Sequence, residues 1–371
     1  MSAELNSSNS SAEEYLYSLS DNAVTATLRW LQDEHKSQAF TQQLNTQLSH
    51  IDYPQQLQKT TQNCHSVAQS SAAFMALFAN ILRHSIDDLS VSGLAALEPN
   101  QRYLFISNHR DVLLDPLLIN LALQQQGLSN ARCAIGSNLL EDDLLAAYLR
   151  LSGCFVVPRE DLPMRTMLQR LQQLSRHINE LSQQHNIWIA QREGRAKDGR
   201  DITNPALIKM LLLANNKALP SAQYLQQKHI VPVSISYEWD PSDKEKSEEL
   251  ALKSDNSEAV FRSDSLQHLQ NSLLSKKGRV HLCFGPPLST EDVCSPSAVA
   301  EHLDQFIQGN FQLYPSHLAA YKARHDKRLT AEETQALHHL NERAGLTSPQ
   351  AVKDNLLDLY ANITAQRLAA S

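Results

Sequence analysis

Six short apolar runs, most of them separated by helical patterns, constrain this chain more than any other feature. They are RYLFIS (102–107), ARCAIG (131–136), GCFVV (153–157), NIWIA (186–190), HIVPVSIS (229–236) and GRVHLCFG (278–285). A strand buried on both faces reads as a continuous apolar run, whereas a strand with one wet face alternates. Between the runs lie stretches of helical spacing, among them LLEDDLLAAYLRL, MRTMLQRLQQLSRHINELSQQ and NPALIKMLLLANN. The alternation predicts an α/β domain with a mostly parallel central sheet and flanking helices. In such sheets ligands bind outside the carboxyl ends of the strands, so chemistry is sought in the residues that follow each run.

The flanks read as helical. Residues 1–92 are expected to form an N-terminal helical extension, with 1–12 a disordered Ser/Asn-rich tail. Residues 93–290 form the α/β core, and 291–371 a helical C-terminal extension. In the first extension Phe74, Leu77, Phe78, Ile81 and Leu82 share one helix face. That stripe predicts a helix packed on the core; a membrane-surface helix with Arg83 at its edge is the sharper alternative. The charged stretch from Glu238 to about Asp264 reads as a solvated excursion or lid.

Composition excludes several classes. With 371 residues, 42% hydrophobic and 20% charged, the chain can bury a large core. A net charge of -7 argues against a dedicated nucleic-acid binder. The five cysteines (Cys64, Cys133, Cys154, Cys283, Cys294) form no CxxC pair, so neither zinc site nor disulfide framework is expected. The opening MSAELNSSNSSAEEY has no apolar h-region, and no long apolar run follows. Neither a signal peptide nor a spanning helix is expected, and a cytoplasmic location is.

Charged groups crowd the run ends. After RYLFIS come Asn108, His109, Arg110 and Asp111, with Asp115 ahead of Pro116. After GCFVV come Pro158 and Arg159, and after NIWIA comes QREGRAKDGR, residues 191–200. A histidine at a strand mouth is a candidate general base near neutral pH. A carboxylate beside it would fix its tautomer and stabilise the imidazolium that forms. Asp115 and Asp111 compete for that place. Asp115 is favoured, because Asp-Pro marks a late helix start with Asp115 as its cap, leaving the preceding residues in a loop. No GxSxG elbow supplies a nucleophile, so the base would activate a hydroxyl of the substrate itself. Arginine forks match phosphate oxygens, which makes Arg159, Arg195, Lys197 and Arg200 candidate phosphate ligands. Gly194 and Gly199 would permit close backbone approach. Pro232 within an apolar run predicts a bulge or a sheet edge near something specific.

In that order the blocks resemble those of the glycerolipid acyltransferases, the glycerol-3-phosphate and lysophosphatidate acyltransferase superfamily. NHRDVLLD is similar to the first block, GCFVVPR to the second, REGRAKDGR to the third and IVPVSISYE to the fourth. His109 and Asp115 have five residues between them where the family's block has four, and Gly194 and Arg195 are adjacent where the family usually has a spacer. The resemblance implies His109 and Asp115 as catalytic residues. It implies Arg159, Glu193, Gly194, Arg195, Lys197 and Pro232 as substrate-binding residues. The reaction implied is acyl transfer from acyl-CoA or acyl-carrier protein to a hydroxyl of glycerol-3-phosphate or a lysophosphatidate-like acceptor. No metal or cofactor is implied beyond that thioester co-substrate, and the chain would lie peripherally on the inner face of a membrane. Two alternatives stay open: a different hydroxylated lipid acceptor, and a catalytically silent lipid-binding module on the same scaffold.

Overall fold

Seven strands build one sheet in the order β1-β7-β6-β2-β5-β3-β4. They are β1 (Ile86–Ser92), β2 (Leu104–Ser107), β3 (Ala131–Gly136), β4 (Phe155–Val157), β5 (Asn186–Ala190), β6 (Ile230–Tyr237) and β7 (Gly278–Phe284). Every pairing is parallel except β6 with β7. The expected mostly parallel α/β sheet is therefore what the chain forms. These features come from a computed structural model, which describes residues 19–33, 52–158, 163–215, 218–254 and 265–370. The tail 1–12 lies outside the described residues.

The apolar runs become strands because helices cover both faces. Phe105, Trp188, Val231, Val233 and Ile235 enter one core with the helices Val67–Leu82, Leu114–Gln125 and Asp143–Leu151. Their neighbours Leu104, Ile106, Ile187, Ile189 and Ile230 enter the opposite core, against Met164–Leu181, Pro205–Leu212 and Pro296–Gly309. Alternate side chains of one strand point to opposite faces, so both sets must be apolar. That requirement is what produced the continuous runs.

Phe74, Leu77, Phe78, Ile81 and Leu82 are all buried in the first core. The packed reading of that helix holds, and a membrane-surface role for it does not. Strand β1, by contrast, was missed. IDDLSVS carries two acids and, among the described residues, pairs only with β7, at the rim of the sheet. The sheet thus begins within the segment read as helical.

The reading of Glu238 onward as a solvated lid is also corrected over its described part. Ser242, Asp243, Lys246 and Ser247 are buried on the helix Asp243–Ser254 and the turn before it. Their charges are neutralised internally: Lys246 Nζ lies 2.6 Å from Asp240 Oδ2, and Arg343 Nε lies 2.6 Å from Asp243 Oδ2. Residues 255–264 lie outside the described residues.

Pro232 sits in an interior strand with neither bulge nor edge. All eight residues of β6 are buried, between β2 and β7. Its carbonyl accepts from Gly285 N at 2.9 Å, one residue past the end of β7. In an antiparallel hydrogen-bonded pair the two residues normally exchange both N–H···O bonds. Pro232 makes only the accepting one, so its missing donor forgoes the return bond at the place where β7 ends.

Candidate active site

Three adjacent parallel strands, β6, β2 and β5, end at one place. Asn108 locks the centre of that place. Its side chain donates to Ile235 O and accepts from Ile235 N, both at 2.9 Å, continuing the ladder between β2 and β6 past the last strand residue. On the other flank Gln191 N donates to Ser107 O at 2.8 Å and Ala196 N to His109 O at 2.9 Å. The cation-rich loop after β5 is thereby held against the backbone of His109.

His109 is 6% exposed and its ring packs edge-on against Trp188, with centroids 6.0 Å apart. Its Nδ1 lies 3.0 Å from Asp115 Oδ2. The same oxygen accepts from the backbone N–H groups of Arg110 and Asp111, at 2.7 and 2.9 Å. The other oxygen, Oδ1, accepts from Tyr237 Oη–H at 2.9 Å, at the carboxyl end of β6. Burial, then the Asp115 charge, hold the Tyr237 phenol well above its ordinary value, so it remains a donor. A carboxylate so placed receives hydrogens only, which fixes His109 as the tautomer protonated at Nδ1. Nε2 is then the ring nitrogen available to a substrate.

The two acids divide their labour differently from the expectation. Asp115 lies inside the helix Leu114–Gln125, in its first turn, and does not cap it. Asp111 Oδ1 does, accepting from Leu113 N and Leu114 N at 3.0 and 2.9 Å. Ser242 Oγ–H donates to its other oxygen at 2.9 Å. Burial alone would raise the Asp111 carboxyl. The Leu114 N–H, the Arg195 charge and the hydroxyls of Ser272 and Ser242 outweigh burial and hold it below its ordinary value. The pairing of His109 with Asp115 holds. The extra residue between them sits in the turn before that helix, a place that absorbs length without moving the strand or the helix.

Arg110 is buried and pairs with Asp201, beneath the ring of Phe311. It does not pair with Asp111, the partner it could have taken.

His109 and Asp111 line a cavity of about 850 Å³, within the range of about 300–1,000 Å³ usual for small-molecule sites. One limb is apolar, walled by Ile135, Leu139, Leu145, Leu171, Leu174 and Ile178. The other is charged, with Arg192, Glu193, Gly194, Arg195 and Lys197 from the loop after β5, and Glu249 from the helix Asp243–Ser254. Arg195 Nη2 lies 2.9 Å from Glu249 Oε1, and Lys197 Nζ pairs with the other oxygen of that carboxylate.

Residues 88–236 match the family model described as Acyltransferase. This segment is an acyltransferase-family domain. The first three sequence blocks lie within it, and the fourth all but its last two residues. Among solved structures the chain is similar to the 1-acyl-sn-glycerophosphate (LPA) acyltransferase PlsC from Thermotoga maritima. The identity is 13%, 76% of this chain and 91% of that chain are covered, and the TM-score is 0.39. No curated protein sequence matches this chain.

In the acyltransferase domain the candidate residues do not all converge. His109, Glu193, Gly194, Arg195 and Lys197 line the cavity, with Asp115 directly behind His109. Arg159 lies outside the described residues. Pro232 is not among the cavity-lining residues; its ring packs beside Gly285 and Phe306, and its side chain alternates with that of Tyr237 across β6. Arg200 is half-exposed and pairs with Asp198. Gly199 serves packing: its φ is +81°, and a Cβ there would sit 1.9 Å from Leu359 O. Gly194 also has positive φ, at +73°, but a Cβ would meet nothing within 4 Å, so the backbone angle alone requires glycine.

Sequence reasoning missed Tyr237, Trp188 and Glu249. Tyr237 carried a signal, since it ends an apolar run and strand ends were the places to search. Trp188 lay inside a run and read only as core. Glu249 sat in a charged stretch with nothing to mark it.

Proposed function

We propose that this chain transfers a fatty acyl group from an acyl thioester, acyl-CoA or acyl-carrier protein, to a hydroxyl of glycerol-3-phosphate or a lysophosphatidate-like acceptor. The observation that carries the proposal is the His109 Nδ1–Asp115 Oδ2 pair, 3.0 Å long, on the wall of a cavity lined by apolar side chains and by charged ones of both signs. His109 Nε2 takes the acceptor's hydroxyl proton as the oxygen attacks the thioester carbonyl. A C–O bond forms, the C–S bond breaks, and the imidazolium returns its proton to the departing thiolate. Asp115 holds the ring and stabilises the imidazolium between those steps. The acyl chain occupies the apolar limb. Arg195 and Lys197 take the acceptor phosphate, with Glu193-Gly194 shaping that end. No cofactor enters the scheme.

Lipid products and acyl donors also suit approach from a membrane. Met164 and Leu168 are exposed on the same helix that sends Met167 and Leu171 into the cavity wall. Apolar side chains beside a cavity rim fit peripheral contact with a lipid surface. Among the described residues no helix is long and apolar enough to cross a membrane.

The deciding experiment offers labelled acyl-CoA and acyl-carrier protein with glycerol-3-phosphate or lysophosphatidate, to wild type and to His109→Ala. Turnover lost in the variant supports the scheme. Turnover unaffected by the substitution overturns it, and lipid binding without turnover for any pair favours the silent module.

A further inference from the structure

The charged limb of the cavity is already occupied by the chain's own carboxylate. Glu249 is 8% exposed and reaches both Arg195 and Lys197, the cations assigned to the acceptor phosphate. Among the described residues, the lining of the whole cavity carries Arg192, Arg195 and Lys197 against Asp111, Glu193 and Glu249, three charges of each sign. A phosphate monoester arriving at neutral pH brings close to two further negative charges to two cations whose charge this carboxylate already offsets in part.

Glu249 cannot withdraw easily as part of a moving segment. Its helix is pinned by Tyr360 Oη–H, which donates to Asp243 Oδ2 at 2.7 Å, and by Arg343 on the same carboxylate. Lys246, one turn before Glu249, is fully buried against Asp240. The backbone of Glu249 is fixed, and only its side chain can yield. An incoming anion must either rotate that carboxylate off Arg195 and Lys197 or bind beside it against like-charge repulsion. Both routes weaken binding, and both weaken it more for a dianion than for a monoanion.

We infer that Glu249 is a specificity-determining residue, an internal occupant of the anion seat whose carboxylate weakens the binding of doubly charged phosphate monoesters, the acceptor class proposed above, more than that of singly charged anions. The inference rests on the assignment of Arg195 and Lys197 as the acceptor seat. In the wild type the carboxylate weakens phosphomonoester binding, and phosphodiester binding less. Replacing the carboxylate by its neutral isostere frees the two cations without removing volume.

The test is equilibrium binding of two unreactive probes, methyl phosphate and dimethyl phosphate, measured by calorimetry on the full chain at pH 8. Wild type, Glu249→Gln and Glu249→Gln combined with Arg195→Ala are compared. Circular dichroism and a thermal melt check that each is folded, and Glu249→Ala replaces Glu249→Gln should the latter not fold. The expected result is methyl phosphate binding at least about tenfold tighter to Glu249→Gln, with dimethyl phosphate gaining about threefold or less. Adding Arg195→Ala should abolish the gain. Unchanged or weaker methyl phosphate binding in Glu249→Gln, or equal gains for the two probes, would overturn the inference. Because no acyl transfer is scored, absence of turnover in the wild type would sink the proposed reaction while leaving this measurement decisive on its own.

Discussion

Asp115 Oδ2 holds His109 Nδ1 at 3.0 Å while it also accepts the backbone N–H groups of Arg110 and Asp111. Three hydrogens on one oxygen leave that oxygen no freedom to turn. In Asp115→Asn, an amide nitrogen facing those N–H groups would clash, and one facing Tyr237 would meet another donor. If the amide donates to Nδ1, the ring proton moves to Nε2 and the base is lost. Asp115→Asn should therefore lower kcat by about 10³–10⁴ with little change in KM, as carboxylate-to-amide changes behind a catalytic histidine do. Steady-state kinetics read the outcome; a loss below tenfold would remove Asp115 from its role.

Asp111→Ala should do the converse. It removes the acceptor for Leu113 N and Leu114 N, a cap worth about 1 kcal/mol, up to about 2. Stability should fall by that amount in a urea titration while kcat stays within about threefold of wild type, since Asp111 bonds Leu113 N, Leu114 N and Ser242 Oγ whereas the His109 ring bonds Asp115. A collapse of kcat with unchanged stability would return Asp111 to contention as the histidine's partner.

Tyr237→Phe tests the far side of the same carboxylate. The phenol fills Oδ1 at 2.9 Å in a buried place where water does not replace it. Hydrogen bonds to charged groups contribute about 1.5–3 kcal/mol. A share of that felt by the orientation of Asp115 predicts a fall in kcat of about tenfold. The measurement is again kcat, alongside a thermal melt showing the variant folded.

How much of this was legible in the sequence follows from where each partner lies. His109 and Asp115 are near neighbours in the chain, and a late helix start was enough to favour one acid over the other. The cap assignment failed because two carboxylates a turn apart can both reach a helix start; only the directions of the N–H groups of residues 110, 111, 113 and 114 decide which does. The strands buried on both faces announced themselves, and the acidic rim strand β1 did not. The stretch after Glu238 looked solvated in part because two partners of Asp243, the Arg343 guanidinium and the Tyr360 hydroxyl, stand about a hundred residues away. Charge pairing over that separation leaves no local pattern, and Glu249 stayed hidden for the same reason.

Gly199→Ala probes the link between the cation-rich loop and the C-terminal helix Gln350–Ala369. The added Cβ would fall 1.9 Å from Leu359 O at a residue whose φ is +81°. Neighbouring bonds, Asn362 Nδ2 to Asp198 O at 2.9 Å and Asp201 N to Gln366 Oε1 at 2.8 Å, tie the same two segments. Relief requires the loop and helix to separate. A stability loss of at least about 2 kcal/mol is expected from the strain and the clash together. The acceptor KM should rise more than kcat falls, because Arg195 and Lys197 sit on the displaced loop while His109 does not. Denaturant titration and kinetics on the purified variant check both parts.

Among the buried lysines, Lys277 gives a testable pH dependence of stability. Burial lowers Lys277 from 10.5 to about 7, though Nζ still donates to Ser85 Oγ at 3.0 Å and to Leu273 O at 2.6 Å. Below pH 7 the lysine is protonated in both states and contributes no slope. Between about 7 and 10.5 the unfolded chain holds a proton that the folded chain has released. Unfolding then takes up a proton, so this group makes stability rise with pH, by at most about 1.4 kcal/mol per pH unit. Lys277→Met keeps the length and removes the titration. Urea titrations at pH 7, 8 and 9 should show the wild type gaining stability relative to Lys277→Met across that window. Parallel curves for the two proteins would show that the lysine remains charged in the fold.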